Sequence, residues 1–210
     1  MNKKQKTAEI NRTLTTLYPE PVCELNYNQN KPHELLIAAR LSAQCTDKRV
    51  NQVTPALFAR FPTLTDFAYA DVSEVEEFVR SCGLYKTKAH DIVETCKMLV
   101  NTYNCTIPDS MDELIKLPGI GRKTANLLLG TLYGKPAIVT DTHVIRLSNR
   151  FGLVNTKNPE KVESALKKLI VPEESLNFCH RLVLFGREFC KAQSPKCAEC
   201  GVREMCTYIK

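Results

Sequence analysis

Two hundred and ten residues are enough for one or two compact domains with a hydrophobic core, and they exclude a disulfide-stapled mini-protein. With 43% hydrophobic and 25% charged residues, a wholly disordered or collagen-like chain is excluded as well. A formal charge of +6 suits a polyanionic partner without requiring one. The basic start, Met1 to Lys6, runs into the polar stretch Thr7 to Thr16, so the chain shows no signal-peptide apolar run and no segment of membrane-spanning length. The expected setting is the cytoplasm, or the nucleus in a cell that has one, with no membrane partner. In such a reducing compartment the ten cysteines read as buried thiols, metal ligands or nucleophiles rather than disulfides.

Apolar residues recur at helical spacing almost everywhere, as at Ala89, Ile92, Val93, Cys96, Leu99, Val100 and Tyr103, and this predicts an all-α fold. In chain order, periodicity and punctuation place helices over 5–17, 32–43, 47–60, 73–82, 86–103, 110–116, 122–133, 142–150, 159–170 and 173–188. Pro55 is expected to interrupt the third, because proline lacks an amide hydrogen and crowds the preceding turn. Ser110 with Glu113 is a candidate capping box, and Asn158 before Pro159 pairs an N-cap with a first-turn proline. Gly83, Gly134 and Gly152 stand at expected helix ends. Ala137 to Thr140 is β-like but finds no partner segment, so it reads as an extended connector.

Four cysteines crowd the last stretch as Cys190-x6-Cys197-x2-Cys200-x5-Cys206. Four soft thiolates complete a tetrahedral set around one zinc ion or one iron-sulfur cubane. Ordinary buried thiols fit poorly here, since Lys191, Lys196, Glu199, Arg203 and Glu204 leave little apolar surface to bury. Spacing alone does not choose between the metals. Lys191 and Lys196, between the first two cysteines, are expected to face phosphates, against the alternative of a merely solvated loop.

The segment Leu117-Pro-Gly-Ile-Gly-Arg-Lys-Thr-Ala-Asn126 lies between two helical patterns. Its proline ends one helix, and Gly119 and Gly121 allow a tight turn whose backbone N–H groups, with the helix starting near Arg122, can hold a phosphate oxygen. A bare helix-helix turn is the competing reading. Lys123 favours the first. A lysine in the first helical turn opposes the macrodipole and gains nothing structurally, whereas the same field favours its neutral, nucleophilic amine. Asp141, before the helix at Thr142, reads as an N-cap that could also shuttle a proton or stabilise positive charge on a sugar. His143 beside it is by itself more a packing residue than a catalytic one.

On these residues the sequence resembles the endonuclease III family of helix-hairpin-helix DNA glycosylases. The resemblance is carried in order by Leu41-Ser-Ala-Gln-Cys-Thr-Asp47, Gly83-Leu-Tyr85, the Leu117–Asn126 hairpin, Asp141-Thr-His-Val144 and the four-cysteine spacing. It implies a six-helix bundle over 25–135 with the hairpin at 117–123, and a cluster domain from 1–24 plus 136–210 with its cluster loop at 190–206. It further implies that Lys123 attacks C1′ of a damaged nucleoside with help from Asp141. Cys190, Cys197, Cys200 and Cys206 would hold a [4Fe-4S] cluster, and Gln44 and Leu84 would enter the space left by the flipped nucleotide. Gly119, Gly121, Arg122, Thr124, His143 and Lys191 complete the expected DNA contacts. Cys45, Thr140 and Phe185 depart from the usual forms, yet none removes a reacting group.

The resulting expectation is a monomeric bifunctional N-glycosylase for base excision repair. It acts on double-stranded DNA with oxidised pyrimidines or abasic sites, in the bacterial manner, beside the chromosome. A mismatch adenine glycosylase would lack Lys123 and would not continue the aspartate as Thr-His. A non-catalytic helix-hairpin-helix module would need neither Lys123 nor Asp141, and an electron-transfer protein would leave the hairpin idle.

Overall fold

The computed structural model describes residues 1–208; Ile209 and Lys210, the last two residues of the expected second part, lie outside them. Among the described residues the regular structure is entirely helical, and no helix is long and apolar enough to cross a membrane. Two compact units divide the chain: Cys23–Tyr133, and Met1–Val22 with Gly134–Lys210.

After α1 (Lys3–Leu17) of the other unit, the Cys23–Tyr133 unit holds α2 (Pro32–Leu41), α3 (Asp47–Arg60), α4 (Leu64–Ala68), α5 (Val72–Val79), α6 (Tyr85–Thr102), α7 (Met111–Leu114) and α8 (Arg122–Tyr133). The six helices expected here are present, and α4 is a seventh that is too short to show a period. A full capping box between Thr63 and Asp66 starts it, and Phe67 packs against Phe61 at 5.1 Å. Long α6 is the spine, with Ala89, Ile92, Val93, Cys96 and Leu99 all fully buried or nearly so. Each such side chain contributes about 1.5–3 kcal/mol if large. Pro55 does not interrupt α3, which runs through it from Asp47 to Arg60. Proline forfeits its own amide bond and crowds the preceding turn, but Thr54 and Leu57, both buried, keep the inner face packed across the gap. At α7 only half of the expected capping box forms. The Ser110 hydroxyl accepts from the Glu113 amide, but the Glu113 carboxylate is taken by Tyr103 Oη and Lys116 Nζ, each at 2.6 Å.

The other unit joins α1 to α9 (Thr142–Arg150), α10 (Pro159–Lys167) and α11 (Ser175–Glu188), followed by two single 3-10 turns, Cys197–Glu199 and Arg203–Met205. Asn2 and Gln5 close a full capping box on α1. Arg181 on α11 draws that N-terminal helix in, donating to Tyr18 O and Asn11 Oδ1 at 3.1 Å each and bridging to Glu174. Asn158 caps α10 with Pro159 in its first turn, and Gly152 closes α9 at φ +69°. Residues 137–140 form no helix or strand and are buried, which is the expected connector.

Candidate active site

In the Cys23–Tyr133 unit, the hairpin hangs between two buried anchors, Leu117 and Ile120. The Pro118 carbonyl accepts from Thr95 Oγ1 of α6 at 2.9 Å, and Ile120 N donates to Leu117 O at 3.1 Å. Gly119 turns at φ +70°, and a β-carbon there would collide with the Arg40 guanidinium and the Asp91 carboxylate. Those two side chains form a nearly buried ion pair at 2.6 Å directly behind the turn. Gly121 behaves otherwise: its φ is not positive, and a β-carbon would meet nothing within 4 Å. The expectation that the turn itself needs glycine at 121 is therefore corrected; only a close-approaching ligand could demand it.

Helix α8 begins at Arg122, so its first-turn N–H groups have no intrahelical acceptor. Arg122 and Lys123 are exposed and Thr124 half-buried at this start. The Lys123 charge is felt at Cys23: burial pushes that thiol's pKa up, the Leu25 amide opposes the shift, Asp47 adds to it and the Lys123 ammonium pulls it down. Gln44 and Leu84 lie in the same unit, and both share a feature that sequence alone did not show. Each sits in the left-handed backbone region, at φ +54° and +47°, and each is exposed, Leu84 by 57%. A non-glycine residue costs about 1–2 kcal/mol in that region. Strain of this kind persists where the surroundings over-determine it and clusters at functional sites.

In the other unit, Asp141 caps α9. Its Oδ1 accepts from Val144 N at 2.7 Å, and its Oδ2 lies 3.2 Å from His143 Nδ1. The ring of His143 fits there because residue 186 is glycine; a β-carbon on Gly186 would reach within 2.8 Å of His143 Cδ2 and 3.0 Å of Arg146 Nη2. The signal for this was a lone glycine inside a helical pattern, which marks close packing. His180 on α11 also senses this carboxylate: burial pushes its pKa down, and Asp141 partly opposes the shift.

The cysteine loop is organised by two arginines of α9 that sequence reasoning had not marked. Arg146 Nη2 donates to Gly186 O and Cys190 O at 3.1 and 3.0 Å. Arg150 Nη1 donates to Cys190 Sγ at 3.2 Å and to Lys191 O at 2.7 Å, and Nη2 to Ala192 O at 2.9 Å. The Arg150 carbonyl takes Thr207 N at 3.0 Å and Cys206 Sγ at 3.3 Å. Burial pushes the Cys200 thiol's pKa up, the Val202 amide opposes, and Cys190, Cys206 and Cys197 each add to the rise. Among the described residues no three Cys, His, Asp or Glu side chains are grouped closely enough to hold a single ion. A soft donor set with a guanidinium on one sulfur fits an iron-sulfur cluster. Lys191 and Lys196 are exposed, the latter 5.7 Å from the Phe189 ring centroid.

Residues 37–172 match the family described as HhH-GPD superfamily base excision DNA repair protein, and residues 190–206 match the iron-sulfur binding domain of endonuclease III. The chain is 44% identical over 206 residues to endonuclease III of Synechocystis sp., covering 98% of this chain and 93% of that one. A structure of a non-covalent endonuclease III–DNA complex superposes with a TM-score of 0.93 at 44% identity, covering 99% of this chain and 97% of the other. A trapped endonuclease III–DNA covalent intermediate superposes with the same TM-score and coverage at 43% identity.

Proposed function

The chain belongs to the endonuclease III family of base excision DNA repair proteins, and from that premise we propose a residue-level account of its action as a bifunctional DNA glycosylase and abasic-site lyase on oxidised pyrimidines. Double-stranded DNA is its partner and [4Fe-4S] its cofactor. Its place of action is the cytoplasm, beside the chromosome. The observation that carries the catalytic assignment is Lys123, an exposed amine in the first turn of the helix that leaves a braced hairpin.

The damaged base is stacked in duplex DNA, so C1′ becomes reachable only after flipping. The hairpin amides around Gly119 and Gly121, with Arg122 and Thr124, hold backbone phosphate. Gln44 and Leu84 fill the space the nucleotide leaves. Lys123 Nζ then forms a bond to C1′ as the bond from C1′ to the base breaks, and the base departs with a proton. Ring opening gives a Schiff base whose iminium acidifies the C2′ protons, and β-elimination expels the 3′ phosphate. Asp141 assists: with Oδ1 tied to the Val144 amide and Oδ2 beside His143 Nδ1, its carboxylate has the acid-base and electrostatic role of helping to deprotonate the lysine and stabilising positive charge on the sugar. His143 orients that oxygen and contacts DNA from the start of α9.

Cys190, Cys197, Cys200 and Cys206 would hold the cluster, and bound by all four it would fold the 190–206 loop and so present Lys191 to DNA. The bundle reading of 25–135, set against a cluster domain of 1–24 plus 136–210, puts Lys123 on the first and Asp141 on the second. Borohydride trapping on duplexes containing thymine glycol or A·8-oxoguanine tests the whole account. A covalent complex is expected with the first; trapping with neither would overturn the bifunctional mechanism, and base release from the second alone would make this a mismatch adenine glycosylase.

A further inference from the structure

Lys88, in the first turns of α6, is fully buried. Its ammonium donates to two backbone carbonyls, Leu41 O at 2.8 Å and Cys82 O at 2.7 Å. Leu41 is the last residue of α2, and Cys82 ends the 3-10 turn Arg80–Cys82; both carbonyls belong to helix ends, where acceptors are left over. Three residues past the first comes Gln44, and two past the second comes Leu84, each in the left-handed region. One ammonium thus ties the roots of two separate strained segments. Its cost is visible: burial pushes the amine's pKa down, Arg40 adds to that, and the thiols of Cys45 and Cys82 oppose it. An apolar side chain would fill the same place beside Ala89 and Ile92 without burying a charge.

We infer that Lys88 is a positioning residue for base flipping, clamping the Gln44 and Leu84 segments so that both side chains stand ready before DNA arrives. The inference rests on the reading of those two residues as the ones that fill the vacated space. Binding energy that would go into ordering two loops is then available for unstacking the nucleotide.

The test uses the cluster-loaded enzyme and Lys88→Met, which keeps an unbranched side chain one atom shorter and removes its donors. Amide hydrogen exchange should speed up in both 42–46 and 83–85 and stay unchanged in 117–123. On a lesion duplex carrying a fluorescent base analogue, the flipping signal should slow about tenfold, while affinity for undamaged duplex stays within about twofold. Leu99→Ala, in the same helix and also fully buried, supplies a variant of comparable melting-temperature loss that should leave flipping rate and loop exchange alone. If the two variants slow flipping equally, or if Lys88→Met leaves exchange in both segments unaltered, Lys88 is a packing residue and the inference falls. If Lys88→Met does not fold, Lys88→Gln, uncharged and one atom shorter, carries the same comparison of flipping rate and exchange. Gln44→Ala and Leu84→Ala separate the failures: an unchanged flipping signal in both would remove the reading beneath the inference, whereas exchange still reports whether Lys88 holds the two segments.

Discussion

Lys123 and Asp141 serve one step by different chemistry, and substitution separates them. Lys123→Gln should abolish base release and the borohydride-trapped complex yet keep binding to an abasic-site analogue, because the nucleophile goes and the hairpin stays. Cross-linking at an unaltered rate through another residue would remove Lys123 from its role. Asp141→Asn should slow excision by roughly two to four orders of magnitude, measured in single turnover, while a preformed abasic site still traps, since its aldehyde needs no base expelled. The N-cap role of Asp141 was legible in the sequence, because the cap is a local matter of an aspartate before a helix. Its contact with His143 was half legible, two residues apart on one turn. The room Gly186 makes for that ring was not, because it depends on a helix some forty residues away in the chain.

At the scale of elements, the hairpin shows two glycines with different reasons to be there. Gly119 combines φ +70° with the Arg40–Asp91 pair behind it, so Gly119→Ala should cost about 1–3 kcal/mol of stability and weaken damaged and undamaged duplex binding together. Gly121→Ala should leave the denaturation midpoint almost unmoved, within about 0.5 kcal/mol. If the proposed phosphate contact holds, it still weakens both duplexes alike; loss confined to damaged DNA would place Gly121 in the lesion pocket instead. The early end of α2 at Leu41, against a periodicity reaching 43, follows from competition at the helix end. Ser42 Oγ donates to Ala39 O at 2.9 Å and Cys45 N to Ser42 O at 3.1 Å, which turns the chain and raises Gln44 onto its strained loop.

For the molecule as a whole, the last 75 residues carry 12 Lys and Arg against 8 Asp and Glu, and Lys191 and Lys196 lie exposed among them. Replacing both by alanine should flatten the dependence of log binding constant on log salt by up to about 0.9 for each phosphate the two ammonium groups neutralise; an unchanged slope would make them a solvated loop. Natively prepared protein should be brown and carry iron, and zinc without iron would defeat the cluster assignment. Two histidines set an acid limit. Burial holds the pKa of His33 and of His180 below the ordinary 6.5, so below that value the unfolded chain binds protons first. Their contribution is whole above 6.5 and is lost as pH falls toward the folded values, so the denaturant midpoint should drop as pH falls below 6.5. His33→Gln should reduce the drop.

What the sequence determined by itself is what short range controls. Helix class and most helix bodies follow from 3.6-residue periodicity, and the N-caps at Asp141 and Asn158 and the turns at Gly83 and Gly134 follow from local stereochemistry. A metal site follows from four soft ligands within one short loop, and the resemblance to endonuclease III implies that the metal is an iron-sulfur cluster. Tertiary structure decided whatever depends on atoms distant in the chain. It carried α3 through Pro55, because buried neighbours outweigh one missing amide bond. It diverted Glu113 from its cap to Tyr103 and Lys116, because a charged or phenolic donor competes well with an exposed backbone amide. It also set Arg150 on the cysteine loop and buried Lys88 under two strained segments. Long polar side chains find their acceptors only when helices pack, and no period in the sequence records which carbonyl each will reach.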